Sequence, residues 1–298
     1  MKITQSLIKE VMKQDHCPKQ VYYSFVEGIE MIDPSDVMLL GRYFESELLG
    51  SCRGGLKQEA IRLSPKSNKP KSNANKKELI SYIERKDHNY VTEGKSVKEL
   101  QDHIKFMPTD ESQGAKSKPY QDCDNLIDFA KNVFEVLGLD IRNGESQIEV
   151  NTNLLRAAID HRNIDIKNPS RKANYDLKYT ATKEDDRWNG WAYPEGKDDA
   201  IIQAAHYTLV SYEETGIWMP FYFLIFGKDK WVKVIQYVFD ENSIEQHKSR
   251  ISHTSAKIRE YSENGFKGNG SFNKCNSCPF NTECPDRSNV IDIEIVKI

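Results

Sequence analysis

Three short runs decide the fold: AAID at residues 157–160, DLK at 176–178 and QAAHY at 203–207. The first ends an apolar run with an acid, the second carries an Asp-x-Lys, and the third sets a Gln and a Tyr one turn apart. Side chains alternate along a strand, so Asp176 and Lys178 share one face while Leu177 points to the other and offers only its carbonyl. Gln203 and Tyr207 lie on a segment with helical spacing. These groups are expected to converge on one edge of a sheet.

The residue types fit one chemistry. Hydrolysing a phosphodiester takes hard oxygen ligands that hold Mg2+ or Mn2+ against the phosphate, and a cation near the attacking water or the developing charge. Asp160 and Asp176 offer the carboxylates and Lys178 the cation. A second Asp-x-Lys, Asp165-Ile166-Lys167, reads as exposed hairpin residues, because the Gln/Tyr helix would follow it too late.

Working outward, 298 residues with 38% apolar content can bury a sizeable core, as one elaborated domain or a core domain with an insertion. No apolar run of about eighteen residues occurs, and the opening MKITQSLIKEVMK is amphipathic instead of signal-like, so a cytoplasmic protein without a membrane span is expected. The net charge of −3 excludes a uniformly basic coat, so any nucleic-acid contact must come from a local patch. The candidate runs from Arg53 to Lys86, where Lys57, Arg62, Lys66, Lys69, Lys71, Lys76, Lys77 and Arg85 face only Glu59, Glu78 and Glu84. A solvated loop accounts for the same composition, since SPKSNKPKSNANKK is poor in apolar residues.

In chain order, Ile3, Leu7, Ile8, Val11 and Met12 predict an amphipathic helix, and Cys17-Pro18 opens another. Pro34-Ser35-Asp36 reads as the N-cap of a third, with Val37, Leu40, Gly41, Phe44 and Leu48 as its buried stripe. Glu45 falls four residues after Gly41, on the same face, where a glycine would let another backbone approach the carboxylate. Residues 53–121 read as a polar, basic-leaning insertion with weak helices near 77–85 and 97–106. A helix ending at Gly138 follows, then strands at 147–150, 154–159 and 174–180 with Asn168-Pro169-Ser170 among the turns. A helix over 200–212, strands over 221–226 and 231–239, and a long surface helix carrying Ile244, Ile251 and Ile258 complete the pattern. Without the insertion the order is helix, three strands, helix, strand.

Near the end stands Cys275-Asn-Ser-Cys278, then Cys284-Pro285. Cys-x2-Cys at a turn holds two thiolates about one site, a third follows at short range, and Cys17 is the obvious fourth. A reducing compartment disfavours disulfides, and the tight spacing disfavours core thiols; spacing leaves both zinc and an iron–sulfur cluster open. Cys52 and Cys123 read as ordinary thiols.

These residues resemble the RecB-like branch of the PD-(D/E)XK nucleases, in particular its iron–sulfur members, which include CRISPR-associated exonucleases and phage relatives. Cys17, Cys275, Cys278 and Cys284 match the branch's cysteine layout, which implies a 4Fe-4S cluster clamping the N- and C-terminal segments of a single nuclease domain spanning 1–298. Asp160 matches the family's acid, with Ala157 where a glycine is usual; Asp176 and Lys178 match its Asp/Glu-x-Lys, and Gln203 and Tyr207 its Gln-x3-Tyr. Glu45 stands where many members carry a His. The resemblance implies an α/β fold with a mixed central sheet flanked by helices. It also implies Mg2+- or Mn2+-dependent hydrolysis of DNA, as an exonuclease on single-stranded ends. Glu45, Asp160, Asp176 and the Leu177 carbonyl would be metal ligands, and Gln203 and Tyr207 would orient the strand or the lysine. A homo-oligomer, or a partner in recombination or CRISPR adaptation, is compatible with it. An endonuclease and a non-catalytic DNA-binding subunit are the alternatives.

Overall fold

The structure, a computed structural model, describes residues 1–13, 16–29, 34–56, 61, 70, 74–87, 90–107, 116–183, 191–270 and 272–286. Part of the basic stretch, including Lys57, Glu59, Arg62, Lys66, Lys69 and Lys71, lies outside the described residues.

Five strands form one sheet in the order β1 (Glu145–Asn151), β2 (Arg156–Asp165), β3 (Asn168–Thr180), β4 (Phe221–Gly227) and β5 (Trp231–Tyr237). Only β3 and β4 are parallel; the other neighbours are antiparallel. Every residue of β4 is buried, which is why its apolar run does not alternate. The crossover between the two parallel strands is the helix Asp198–Thr215, as a parallel connection requires.

The α-helices that lie within the described residues include α1 (Gln5–Met12), α2 (Pro18–Val21), α3 (Asp36–Leu49), α4 (Lys76–Lys86), α5 (Val97–Phe106), α6 (Lys118–Val136), α7 (Asp198–Thr215), α8 (Glu241–Glu263) and α9 (Phe272–Ser277). The chain divides into two compact units, one of Met1–Leu56 with Asp122–Ile298 and one of Lys57–Gln121. The smaller has its own apolar cluster, in which Leu79 and Ile83 of α4 pack with Leu100 and Ile104 of α5. Both helices begin with a capping box, Asn75 with Glu78 and Ser96 with Glu99.

In the larger unit one core joins Phe221, Phe223 and Ile225 of the sheet to Ala204, Tyr207 and Leu209 of α7 and to Ile244 and Ile251 of α8. Each such fully buried side chain contributes about 1.5–3 kcal/mol. Phe44 of α3 reaches Phe226 at 5.3 Å and Tyr179 at 6.2 Å between ring centroids, which fixes α3 against the site-bearing strands. Ser35 caps α3, its hydroxyl accepting from the Met38 N–H at 3.3 Å.

The predicted sequence of helix, three strands, helix and strand is present, and the mixed sheet with flanking helices agrees with it. Several details differ. β2 runs six residues past its expected end, through Asp160-His161-Arg162-Asn163, because these polar groups are buried and partnered by other polar groups. Asn168-Pro169-Ser170 is the start of β3, and the turn falls at Ile166-Lys167. Asp165 is fully buried instead of exposed; it accepts hydrogen bonds from the Tyr222 hydroxyl at 2.7 Å and the Lys167 N–H at 2.9 Å. Val37 is exposed, with Leu39 and Tyr43 taking its place in the buried stripe of α3. A Cβ at Gly41 would sit 3.9 Å from Tyr179 Cβ, an ordinary contact, so no close backbone approach requires that glycine.

Candidate functional site

The pairing of β2 with β3 runs from Asp165–Asn168 to His161–Tyr175, and Asp160 and Asp176 come next on their strands. The two acids therefore stand where the strands part, a fork in which side chains and free backbone groups face each other. The Leu177 N–H, which no longer serves that ladder, donates to Asp160 Oδ2 at 3.3 Å.

Around Asp176 the expected partners are assembled. Gln203 Nε2 donates to its Oδ1 at 2.5 Å, and Lys178 Nζ stands 2.6 Å from its Oδ2. Asp176 is 1% exposed and the Lys178 side chain 35% exposed, so the carboxylate is sealed while part of the lysine side chain meets solvent. Tyr207, on the same face of α7 as Gln203, is buried, and its hydroxyl is pushed up to about 12 by burial and by the neighbouring Asp176.

Burial pushes the Asp160 carboxyl well above the usual carboxylate range, and the charges of Asp176 and Glu45 push it further. Glu45 is raised for the same reasons, burial first, with a hydrogen bond from Gln147 acting against it. Burial alone would lower the Lys178 ammonium, but Asp176 and Asp160 outweigh it and raise the group above the ordinary lysine value. Three acids within electrostatic reach of each other thus share a site with one lysine.

Two cations that the motif reading did not assign to the site also belong to it. Arg53, placed by sequence in the basic stretch, brings Nη2 to 3.7 Å from Asp160 Oδ1. Lys9 of α1 is half-buried, and burial lowers its ammonium; Asp199 and Asp176 oppose that shift, while Lys178 adds to it. Nothing local distinguishes Lys9 from any polar-face lysine of an amphipathic helix, so only the packing of α1 beside α7 reveals it.

The four clustered cysteines meet as well. Cys17, Cys275, Cys278 and Cys284 line one cavity, bounded also by Tyr23 and Phe280. The N- and C-terminal segments touch there: Tyr23 stacks on Phe280 at 5.2 Å between ring centroids, and its hydroxyl donates to the Glu283 carbonyl at 3.0 Å. No disulfide joins any of the six cysteines. Cys52 is half-buried, and Cys123 is buried in α6 with Sγ 4.0 Å from the Leu40 carbonyl.

A family profile described as a PDDEXK-like domain of unknown function (DUF3799) matches residues 4–281. The chain belongs to this PDDEXK-like family. No curated protein matches the chain. Among solved structures, a "Putative exonuclease" from Eubacterium rectale has a similar fold, with a TM-score of 0.54 and 15% identity over 99% of this chain and 91% of that one. At that identity the likeness is one of fold. The superfamily expected from sequence is borne out, and the PDDEXK-like domain has a mixed-sheet α/β core with no helix among the described residues long and apolar enough to cross a membrane.

Do the residues fit the groups that the resemblance implies? As the side chains stand, no three His, Cys, Asp or Glu among the described residues are arranged to hold a metal ion. The donor chemistry nevertheless suits a hard cation: Asp160, Asp176 and Glu45 repel one another, and Arg53 and Lys178 stand against two of them as positive charges do. At the cysteines, a Cβ on Gly270 would come within 2.5 Å of Cys275 Sγ, so a bare backbone is held against that thiol. Burial raises the Cys278 thiol, and Cys17 and Cys284 raise it further, so the cavity favours thiolates only with a cation among them.

Proposed function

We propose that this PDDEXK-like domain is a Mg2+- or Mn2+-dependent deoxyribonuclease that acts as an exonuclease on single-stranded DNA ends. The observation that carries the reading is the fork: Asp160, Asp176, Lys178, Gln203 and Tyr207, up to 47 positions apart in sequence, are gathered at one charged site. A structural role alone would not require two buried acids facing two cations at a strand fork, because such groups cost stability.

In this reading Asp160 and Asp176 hold the cation, with Glu45 and the Leu177 carbonyl completing its oxygen set. A bound Mg2+ or Mn2+ would supply Lewis-acid chemistry at the scissile phosphate. Lys178 donates hydrogen bonds to the phosphate oxygens or the attacking water from the solvent side of Asp176. Gln203 fixes the Asp176 carboxylate through Oδ1, which leaves Oδ2 toward the cleft. Arg53 and Lys9 add positive charge for the DNA backbone.

The cysteine cavity is read as a 4Fe-4S site held by Cys17, Cys275, Cys278 and Cys284, with zinc as the competing occupant. A reducing, cytoplasmic setting is part of this reading. The deciding experiment offers linear and circular single-stranded DNA to anaerobically purified protein with Mn2+ or Mg2+, beside an Asp160→Ala control. Loss of linear DNA alone, absent in the control, is expected. Cutting of circles would make the enzyme an endonuclease, and no cutting with either metal would leave a DNA-binding subunit.

A further inference from the structure

Gln147 lies in β1 with a φ of +54°, a left-handed conformation uncommon for any residue with a side chain and foreign to a strand. Its neighbours pair in order, Ser146 with His161 and Ile148 with Ile159, so Gln147 stands opposite Asp160 at an interruption of the ladder. Asp160 is thus outside the regular pairing on both sides, toward β1 and toward β3.

The side chain explains the contortion. Gln147 Nε2 donates to Glu45 Oε1. A carboxylate only accepts, so the amide nitrogen must face it and the amide oxygen must turn away. That oxygen, Gln147 Oε1, is buried and has no hydrogen-bond partner among the described residues. Buried oxygens without donors are rare and call for a reason.

A hard cation supplies the reason, since Mg2+ and Mn2+ accept amide carbonyl oxygens beside carboxylates. The acids by themselves do not form a three-ligand group. A fourth carboxylate would deepen the repulsion among Asp160, Asp176 and Glu45, whereas an amide adds an oxygen without adding charge. We propose that Gln147 is part of the cation site: its Nε2 holds the Glu45 carboxylate in place, and its Oε1 is a neutral oxygen ligand beside Asp160.

This rests on the reading of Asp160 and Asp176 as cation ligands, and the test separates the two. Mn2+ is titrated into the full-length protein and free Mn2+ is followed by its paramagnetic resonance signal, for wild type, Asp176→Ala, Gln147→Gly and Gln147→Asn. Glycine accepts the positive φ without strain, so Gln147→Gly should keep β1 and fold cooperatively without metal. Its Mn2+ affinity should fall about 10- to 100-fold, the range seen when groups that orient metal ligands are removed. Gln147→Asn keeps an amide and tolerates the conformation but is one methylene too short to serve both partners, and a similar loss is expected. Affinity within twofold of wild type in either variant, with binding lost in Asp176→Ala, overturns the role of Gln147. Unchanged binding in Asp176→Ala, or no binding by wild type, overturns the site reading and the proposal with it.

Discussion

Lys178 Nζ stands 2.6 Å from Asp176 Oδ2, two residues apart on one face of β3, and this ion pair lies at the mouth of the strand fork. The other oxygen of the carboxylate accepts a hydrogen bond from Gln203 Nε2 at 2.5 Å.

Replacing Lys178 with alanine should lower cleavage by at least about 100-fold, the scale of losing one charge-stabilising donor. DNA binding should persist, because Arg53 and Lys9 remain. Single-turnover cleavage alongside a binding titration checks both; near-wild-type cleavage would remove Lys178 from the mechanism.

Arg53 competes with any cation for Asp160. The Arg53→Ala protein should therefore bind Mn2+ more tightly yet hold DNA less well, with the salt dependence of DNA binding shallower by about one unit of slope. Binding measured across salt concentrations decides it, and an unchanged slope would show that Arg53 does not meet phosphate.

The Asp160 and Glu45 carboxyls are raised, burial being the larger cause, so their ionisation costs folding free energy. The sign follows from linkage: the fold holds protons more tightly than the unfolded chain, so metal-free stability falls as pH rises above the ordinary carboxylate range near 4. A cation competes with those protons. Mn2+ should raise the unfolding temperature at pH 8 and have little effect at pH 5; equal shifts at both would argue against these acids as its ligands.

His206 and His247 are both fully buried and joined, with His247 Nε2 3.4 Å from His206 Nδ1 and His206 Nε2 3.0 Å from the Arg156 carbonyl. Burial pushes His206 down to about 4 and His247 to about 3, His206 and Arg250 adding to the latter. Lowered values mean that the unfolded chain binds protons first, so stability is intact above about pH 6.5 and is lost below it. The loss is roughly 1.4 kcal/mol per histidine per pH unit down to about pH 4. Denaturant unfolding of His247→Leu should show a shallower acid slope than wild type; parallel slopes would refute the pair's role.

If the cysteine cavity holds a cluster, anaerobically purified protein should contain iron and acid-labile sulfide, and Cys17→Ser should lose both and unfold at lower temperature. Zinc without sulfide would assign the cavity to a structural zinc site.

The sequence alone determined the helix and strand order, the superfamily, and the grouping of Asp160, Asp176, Lys178, Gln203 and Tyr207. The order follows from periodicity, which is local, and the superfamily and the grouping from the resemblance that these short motifs carry. It also selected the four cysteines, since Cys-x2-Cys is a local signal and Cys17, before Pro18, stood at a helix start. Tertiary structure decided the rest. Asp165 looked exposed until its partner Tyr222, 57 residues away, was seen to bury it. Arg53 read only as one end of a basic stretch and Lys9 carried no signal until the fold brought them within reach of the acids. Gln147 had no motif at all: its meaning lies in a backbone twist and in an oxygen left without a donor, and both exist only once β1, β2 and α3 have packed. Burial and long-range charge act through space, so their consequences appear where distant segments meet and nowhere in the spacing of residues along the chain.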